Sequence, residues 1–526
     1  MIFRPIVASS SPRPSGWRLG AAVAAGCLIA AAGAAEPAGA GPARPNILLL
    51  FSDQHHADAL GCAGHAVVKT PHLDALARQG TLFRRAYCQD AICTPSRTSL
   101  LTGLYPRTTG CLDNPDTPRN PERFPMLHQI LRANGYLTGC FGKRHLNKGM
   151  NQDWDRSATT ISQKLDPSDE DYQTWIKAQG QWEEYQRDFP GTMKDDLMCH
   201  LSALKEENRL DAYAAQRSIA FMRQAKQEGK PFFCWTSMHF PHQPYTPAPR
   251  WAAMYPVDQA VLPASVFQPI DQLPPMLQDW RRKDQPPWNL AAAGRDAALY
   301  RRYVAYYHAL VTEVDHWGGT VLAELERLGM AKDTIVIYTS DHGDFVASHG
   351  MVEKCALGHN VYEDTLRVPL IVSWPGRFRQ GQVRDDLVEL VDLVPTILQA
   401  TATVRPTGPE IPPLAGRSLV PTLVEGNPVG RTHAFSENWS QVTVIGERYK
   451  LGVWVDPGAG RKQRNWSGGA VRDLLFDRSR DPGEVDNRCG DAAIQEVESG
   501  LRRALAAWLQ ATSDAGRREL VGQAKP

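Results

Sequence analysis

Cys93-Thr94-Pro95-Ser96-Arg97 sets a thiol about one helical turn ahead of a guanidinium, with Pro95 suited to start a helix. Helix-start amides and a guanidinium around Cys93 favour anionic oxygen atoms close by. Four further clusters are rich in Asp, His and Lys: Ser52-Asp53-Gln54, Gly142-Lys143-Arg144-His145, His239-Phe240-Pro241-His242 and Ser340-Asp341-His342-Gly343. Taken singly, each has a plainer explanation. Cys93 fits an ordinary buried cysteine before a capped helix, and a lone histidine is more often a surface or satisfied core group. The ten cysteines are scattered, without the paired spacing of a structural zinc site, and fix no disulfide pairing.

The elements around these clusters give them a common direction. Asn46 to Phe51 is a largely apolar run that ends at Ser52-Asp53-Gln54. Similar runs from Tyr136 to Phe141, Pro231 to Met238 and Thr334 to Thr339 each end in one of the other polar clusters, and Val368 to Trp374 forms a fifth run. Such runs read as buried strands. Between them lie helical patterns. Thr70-Pro71 offers an N-cap and a first-turn proline for His72 to Gln79, and a long helix spans about Arg295 to Leu328. Alternating strands and helices predict an α/β sheet with helices on both faces. Ligands of such sheets sit beyond the carboxyl ends of the strands, so the four clusters are expected to converge.

The pentapeptide at Cys93, followed by Leu101-Thr102-Gly103, resembles the signature of the type I sulfatases, formylglycine-dependent members of the alkaline phosphatase-like superfamily. The resemblance runs from Pro45 to about Pro395, and Asp481-Pro482-Gly483-Glu484 with Asn487 resembles the family's closing region. Motif order and His342 are similar to iduronate-2-sulfatase-like and choline-sulfatase-like members. The resemblance implies a sulfatase fold: a large, mixed, mostly parallel sheet flanked by helices. It also implies that a formylglycine-generating maturation enzyme oxidises Cys93 to an aldehyde. One hydroxyl of the aldehyde hydrate attacks sulfur, and the other then expels sulfate.

Residue roles follow from the same resemblance. One divalent cation, calcium, is held by Asp53, Gln54, Asp341, His342 and the modified Cys93. Arg97 holds the formylglycine oxygen, Lys143 bridges it to the sulfate, and His145 takes the hydroxyl proton. His242 contacts sulfate and protonates the leaving oxygen, with His239 in support, and Lys354 binds sulfate. His349, Glu353, His359 and His55 or His56 are candidates for a recognition rim. Two positions depart from many relatives: Gln54 stands where a second aspartate is common, and His342 where asparagine is. Gln54 keeps a carbonyl oxygen but removes a charge, while His342 offers a softer nitrogen.

Composition bounds the alternatives. The 526 residues carry 58 Lys+Arg against 57 Asp+Glu, so no global field argues for nucleic acid. Residues 1–35 have the basic, apolar and small-residue order of an export signal, and no later run is long enough for a permanent membrane span. Residues 36–44 form a linker, 45–400 the catalytic α/β domain, and 401–526 a smaller C-terminal α+β subdomain with Trp439 and Trp466 as sugar-rim candidates. The expected substrate is a sulfated small molecule or carbohydrate. Phosphonate or phosphate ester hydrolysis on the same scaffold is the alternative, and a silent sugar-binding protein remains if Cys93 stays a thiol.

Overall fold

β1 (Asn46–Asp53) is buried along its whole length. Successive side chains of a strand point to opposite faces, so a strand covered on both sides must be apolar throughout. Leu48 and Leu50 join one hydrophobic layer with residues of the Pro71–Arg78, Leu210–Glu228 and Ala297–Arg327 helices. Ile47, Leu49 and Phe51 join the opposite layer with the Cys93–Thr102, Leu127–Ala133 and Leu393–Ala400 helices. The computed structural model describes residues 44–118, 120–147, 149–160, 170–189, 198–282, 296–354, 361–438, 441–454 and 473–512. The proposed export signal and most of the linker, His359, Trp439 and Trp466 lie outside the described residues.

The large sheet continues with β2 (Thr81–Tyr87), β3 (Leu137–Gly142), β4 (Arg156–Thr159), β5 (Glu170–Asp171), β6 (Phe232–Pro241), β7 (Thr334–Ser340), β8 (Arg367–Ser373), β9 (Gln382–Arg384) and β10 (Val388–Glu389). Its order is β10-β2-β8-β7-β1-β6-β3-β4-β5, with β9 also paired to β2. All pairings are parallel except those of β8 with β2 and β7. β7, β1, β6 and β3 are therefore parallel neighbours whose carboxyl ends lie side by side, with Ser52 opposite Ser340 and Gly142 opposite Ser237. At Gly142 the backbone has φ 107° and a Cβ would sit 1.9 Å from the Ser237 carbonyl oxygen, so glycine is required there.

A second, antiparallel sheet follows: β11 (Ala434–Asn438), β12 (Gln441–Ile445), β13 (Tyr449–Trp454) and β14 (Leu474–Asp477). Val442, Val444, Leu451 and Leu475 pack against Leu501, Leu505 and Leu509 of the Gln495–Thr512 helix. In the closing region, Asn487 Oδ1 accepts the backbone N–H of Leu475 at 2.9 Å, tying that loop to β14.

Two local expectations change. The catalytic-segment helix starts at Cys93 itself, not at Pro95, so Cys93 belongs to the first turn. Thr70 does not cap the Pro71–Arg78 helix through its side chain. Asp315 of the long helix does so instead, accepting Leu73 N–H at 2.7 Å and His72 N–H at 3.3 Å. Trp154, Trp175 and Trp182 pack on aromatic neighbours: Trp154 stacks on His128 at 4.0 Å, and the other two lie against Tyr213 and Tyr185.

Candidate functional site

Each of the four parallel strands delivers its polar cluster to one place. Asp53 closes β1, Lys143 follows β3, His242 follows β6 and Asp341 follows β7. Cys93 enters at the first turn of its helix, where free amides point outward. Asp53, Cys93, Asp341 and His342 offer ligand atoms all within 4.8 Å of one another, and all four residues are buried. Among the described residues, this is the one group of His, Cys, Asp and Glu close enough to hold an ion.

Arg97 organises the carboxylates. Its Nη2 donates to Asp53 Oδ2 at 2.7 Å and its Nε to Asp341 Oδ2 at 2.8 Å, with all three side chains fully buried. Its Nη1 donates to the Lys143 carbonyl and to Ser237 Oγ. Arg97 therefore binds the two aspartates directly, a different contact from the hold on position 93 expected from resemblance. Lys143 Nζ lies 2.7 Å from Asp53 Oδ2 and 4.0 Å from Cys93 Sγ. His342 Nε2 lies 3.3 Å from the sulfur, with Nδ1 turned to the Gly343 carbonyl. His145, held at φ 48°, sits beside Cys93, its carbonyl accepting Thr94 Oγ1 at 3.0 Å.

The opposite wall carries Lys354 and two histidines. Lys354 Nζ is 2.9 Å from Gln54 Oε1 and 3.5 Å from His242 Nε2. His242 Nδ1 contacts the Gln243 carbonyl at 2.8 Å. His239 sits behind it, with ring centroids 5.4 Å apart and Nε2 turned to the same carbonyl. Every residue of the expected catalytic and metal set thus reaches this cluster or its supporting layer. Among the described residues, the rim candidates do not form a rim. His55 is fully buried, between Tyr338 OH and the Ala59 carbonyl. His349 is buried against Tyr362 and bonds Gln268. His56 pairs with Asp364 at 3.1 Å on the wall of a separate cavity of about 580 Å³. Glu353 is buried next to Lys354.

Charge explains the titration of these groups. Burial raises the Cys93 thiol, but Lys143, Lys354 and His342 outweigh it and hold the group well below its ordinary value. Burial and the sulfur raise Asp53, yet Lys143, His242 and Arg97 prevail and lower it. Asp341 moves upward, through burial and then the facing Asp53. Burial, then Lys143, brings His242 down to about 4. Two buried carboxylates drawn together are an arrangement that a divalent cation would relieve. The donor set of two carboxylates, one imidazole and the Cys93 sulfur joins hard oxygens to two softer donors, and an oxygen at position 93 would leave only the nitrogen soft.

Sequence reasoning passed over Asp344, Tyr245 and Tyr303, which all touch this network. Asp344 directly extends the Asp341-His342-Gly343 cluster and so carried a signal. Tyr245 likewise extends the His239 to His242 cluster; Tyr303 carried none, because its contact arises from a distant helix.

Comparisons with known proteins agree with this geometry. Residues 45–403 match the family model described as Sulfatase, and residues 348–511 match N-sulphoglucosamine sulphohydrolase, C-terminal. The chain is 29% identical to iduronate 2-sulfatase of Mus musculus over 425 residues, covering 74% of each protein. It is 28% identical to the multifunctional alkaline phosphatase superfamily protein PehA of Trinickia caryophylli, covering 90% of this chain and 96% of that one. Among solved structures, the phosphonate monoester hydrolase of Agrobacterium radiobacter superposes with a TM-score of 0.74 at 23% identity, covering 89% of this chain and 96% of that one.

Proposed function

The chain belongs to the sulfatase family and is a sulfuric ester hydrolase, and on that premise we propose that it desulfates a carbohydrate at the Cys93 cluster. One observation carries the assignment of the site: two carboxylates, an imidazole and the Cys93 sulfur meet within 4.8 Å, across from Lys143, His242 and Lys354. The likeness to a relative named for iduronate, a sugar acid, supports the carbohydrate class.

In this proposal a maturation enzyme oxidises Cys93 to formylglycine, whose hydrate supplies a hydroxyl nucleophile and a second hydroxyl for sulfate release. Calcium, held by Asp53, Gln54, Asp341, His342 and position 93, would supply Lewis-acid charge at the attacked ester. The chain's own side chains do the rest. Lys143 and Lys354 neutralise the sulfate oxygens, a role for which their buried, fixed positions suit them. His145, held beside position 93 through Thr94, accepts a proton there, and His242 faces the leaving oxygen from the Lys354 side. Arg97 keeps Asp53 and Asp341 turned toward the cation. His239 supports His242.

Residues 1–35 are proposed as an export signal, and 45–400 and 401–526 as catalytic and C-terminal parts. Among the described residues no helix is long and apolar enough to cross a membrane.

Intact mass of the Cys93 peptide from natively produced protein, with sulfate release from defined sulfated sugars, tests the proposal. The expected outcome is an aldehyde or its hydrate at position 93 and turnover on at least one sugar sulfate. Fully active protein that retains a thiol there would overturn it. Cys93→Ala is expected to lower kcat by more than about a thousandfold with an unchanged melting curve. Phosphorus esters are a second reading, favoured by the near-full-length likeness to a multifunctional superfamily member. Comparing kcat/KM on aryl sulfate, phosphate diester and phosphonate monoester decides between the two.

A further inference from the structure

Gln54 brings an uncharged side chain to a site that needs an oxygen donor. Its amide carries an acceptor at one end and a donor at the other, so the neighbours must decide which end turns inward. Two neighbours do so from opposite sides. Lys354 Nζ, which can only donate, lies 2.9 Å from Oε1. Asp344 Oδ2 accepts from Nε2 at 2.7 Å, and Tyr245 OH lies 3.3 Å from the same nitrogen.

Asp344 is itself fully buried and heavily fixed. Tyr245 OH donates to its Oδ2 at 3.1 Å, Val346 N–H donates to its Oδ1 at 2.7 Å, and Tyr303 OH also donates to Oδ1. Glu353 N–H occupies the Tyr303 oxygen at 3.2 Å, which turns the phenolic proton toward Asp344. With donors converging on both oxygens, the carboxylate acts as an acceptor toward Gln54. The backbone at Gln54 is clamped as well. It adopts φ 66°, donates its N–H to Asp341 Oδ1 at 3.0 Å and accepts Tyr307 OH at 2.7 Å.

We propose that Asp344 is a positioning residue that fixes the Gln54 amide with its oxygen facing the cation. The device lets a neutral side chain serve as a ligand, with the compensating negative charge one hydrogen bond further out. This inference rests on the assignment of Gln54 as a cation ligand.

Calcium titration by calorimetry on chelator-treated mature protein separates the two ideas, alongside melting curves for each variant. Gln54→Ala is expected to weaken calcium binding; unchanged affinity would sink the ligand assignment itself. Asp344→Asn is expected to weaken calcium about ten- to hundredfold, because the amide at position 54 loses its fixed orientation. The double variant Gln54→Glu/Asp344→Asn reverses the donor and acceptor across the same contact and is expected to regain binding. Should Asp344→Asn alone not fold, the folded double variant carries the test through calcium affinity. Wild-type affinity in Asp344→Asn with weakened Gln54→Ala overturns the positioning role, as does a folded double variant that fails to bind calcium.

Discussion

Arg97 is fully buried and forks between two aspartates, with its guanidinium 5.0 Å from the Phe51 ring centroid. The planar fork is what allows one cation to satisfy both carboxylates in fixed geometry. A lysine ammonium at that position has the charge but not the span. Arg97→Lys is expected to cost about 3–5 kcal/mol of unfolding free energy, the usual penalty for leaving a buried charge without its partner. Denaturant titration checks this. The loss is expected to shrink when calcium is saturating, because the ion can pair the carboxylate that a lysine no longer reaches. Equal losses with and without calcium would show that Asp53 and Asp341 do not share an ion.

The junction between elements shows a different kind of constraint. Asp211, in the first turn of the Leu210–Glu228 helix, accepts the His239 N–H at 2.6 Å near the end of β6. Burial, then the nearby Glu313, raises its carboxyl to about 8, while Arg209 and the accepted backbone N–H pull the other way. The native state therefore holds a proton that the unfolded chain releases at the ordinary carboxyl value of 3.8. Its stabilising contribution is complete below that value and is lost as pH rises toward about 8. Asp211→Asn cannot ionise. Its melting temperature relative to wild type is expected to rise between pH 4 and 8 and then level off, as read from thermal melts across that interval. A difference independent of pH would mean that the carboxyl is ionised in the folded protein. Helix Pro71–Arg78 shows the same tertiary dependence, since its N-terminus is satisfied by Asp315 rather than by its own Thr70.

At the scale of the whole molecule, buried charge joins the second sheet to the first. Lys450 of β13 is fully buried and pairs with Glu484 and, at 3.2 Å, with Glu363 beside β8. Arg478, next to β14, reaches the same Glu363 at 3.0 Å and Tyr87 OH of β2 at 2.8 Å. Hydrophobic packing alone specifies contact but little direction; paired charges add a geometric requirement at the seam. Lys450→Met leaves Glu484 buried without its cation and is expected to cost about 3–5 kcal/mol. Denaturant unfolding measures the loss. A near-neutral result would assign the seam to apolar packing, led by Val391 and Tyr105 against the C-terminal core.

The sequence by itself determined five strands of the large sheet, β1, β3, β6, β7 and β8, since runs such as Asn46 to Phe51 are apolar enough only for a sheet covered on both faces. It also determined which polar clusters close those strands, because each lies next to its apolar run in the chain. Only the tertiary structure decided that β7, β1, β6 and β3 are neighbours in register, and hence that Asp341, Asp53, His242 and Lys143 share one cluster. It likewise decided that Asp344 and two distant tyrosines grip Gln54, and that His55 and His349 serve the core rather than a rim. Periodicity reports whether a residue is buried. It does not report which remote donor meets it there, because that depends on contacts between positions far apart in the chain.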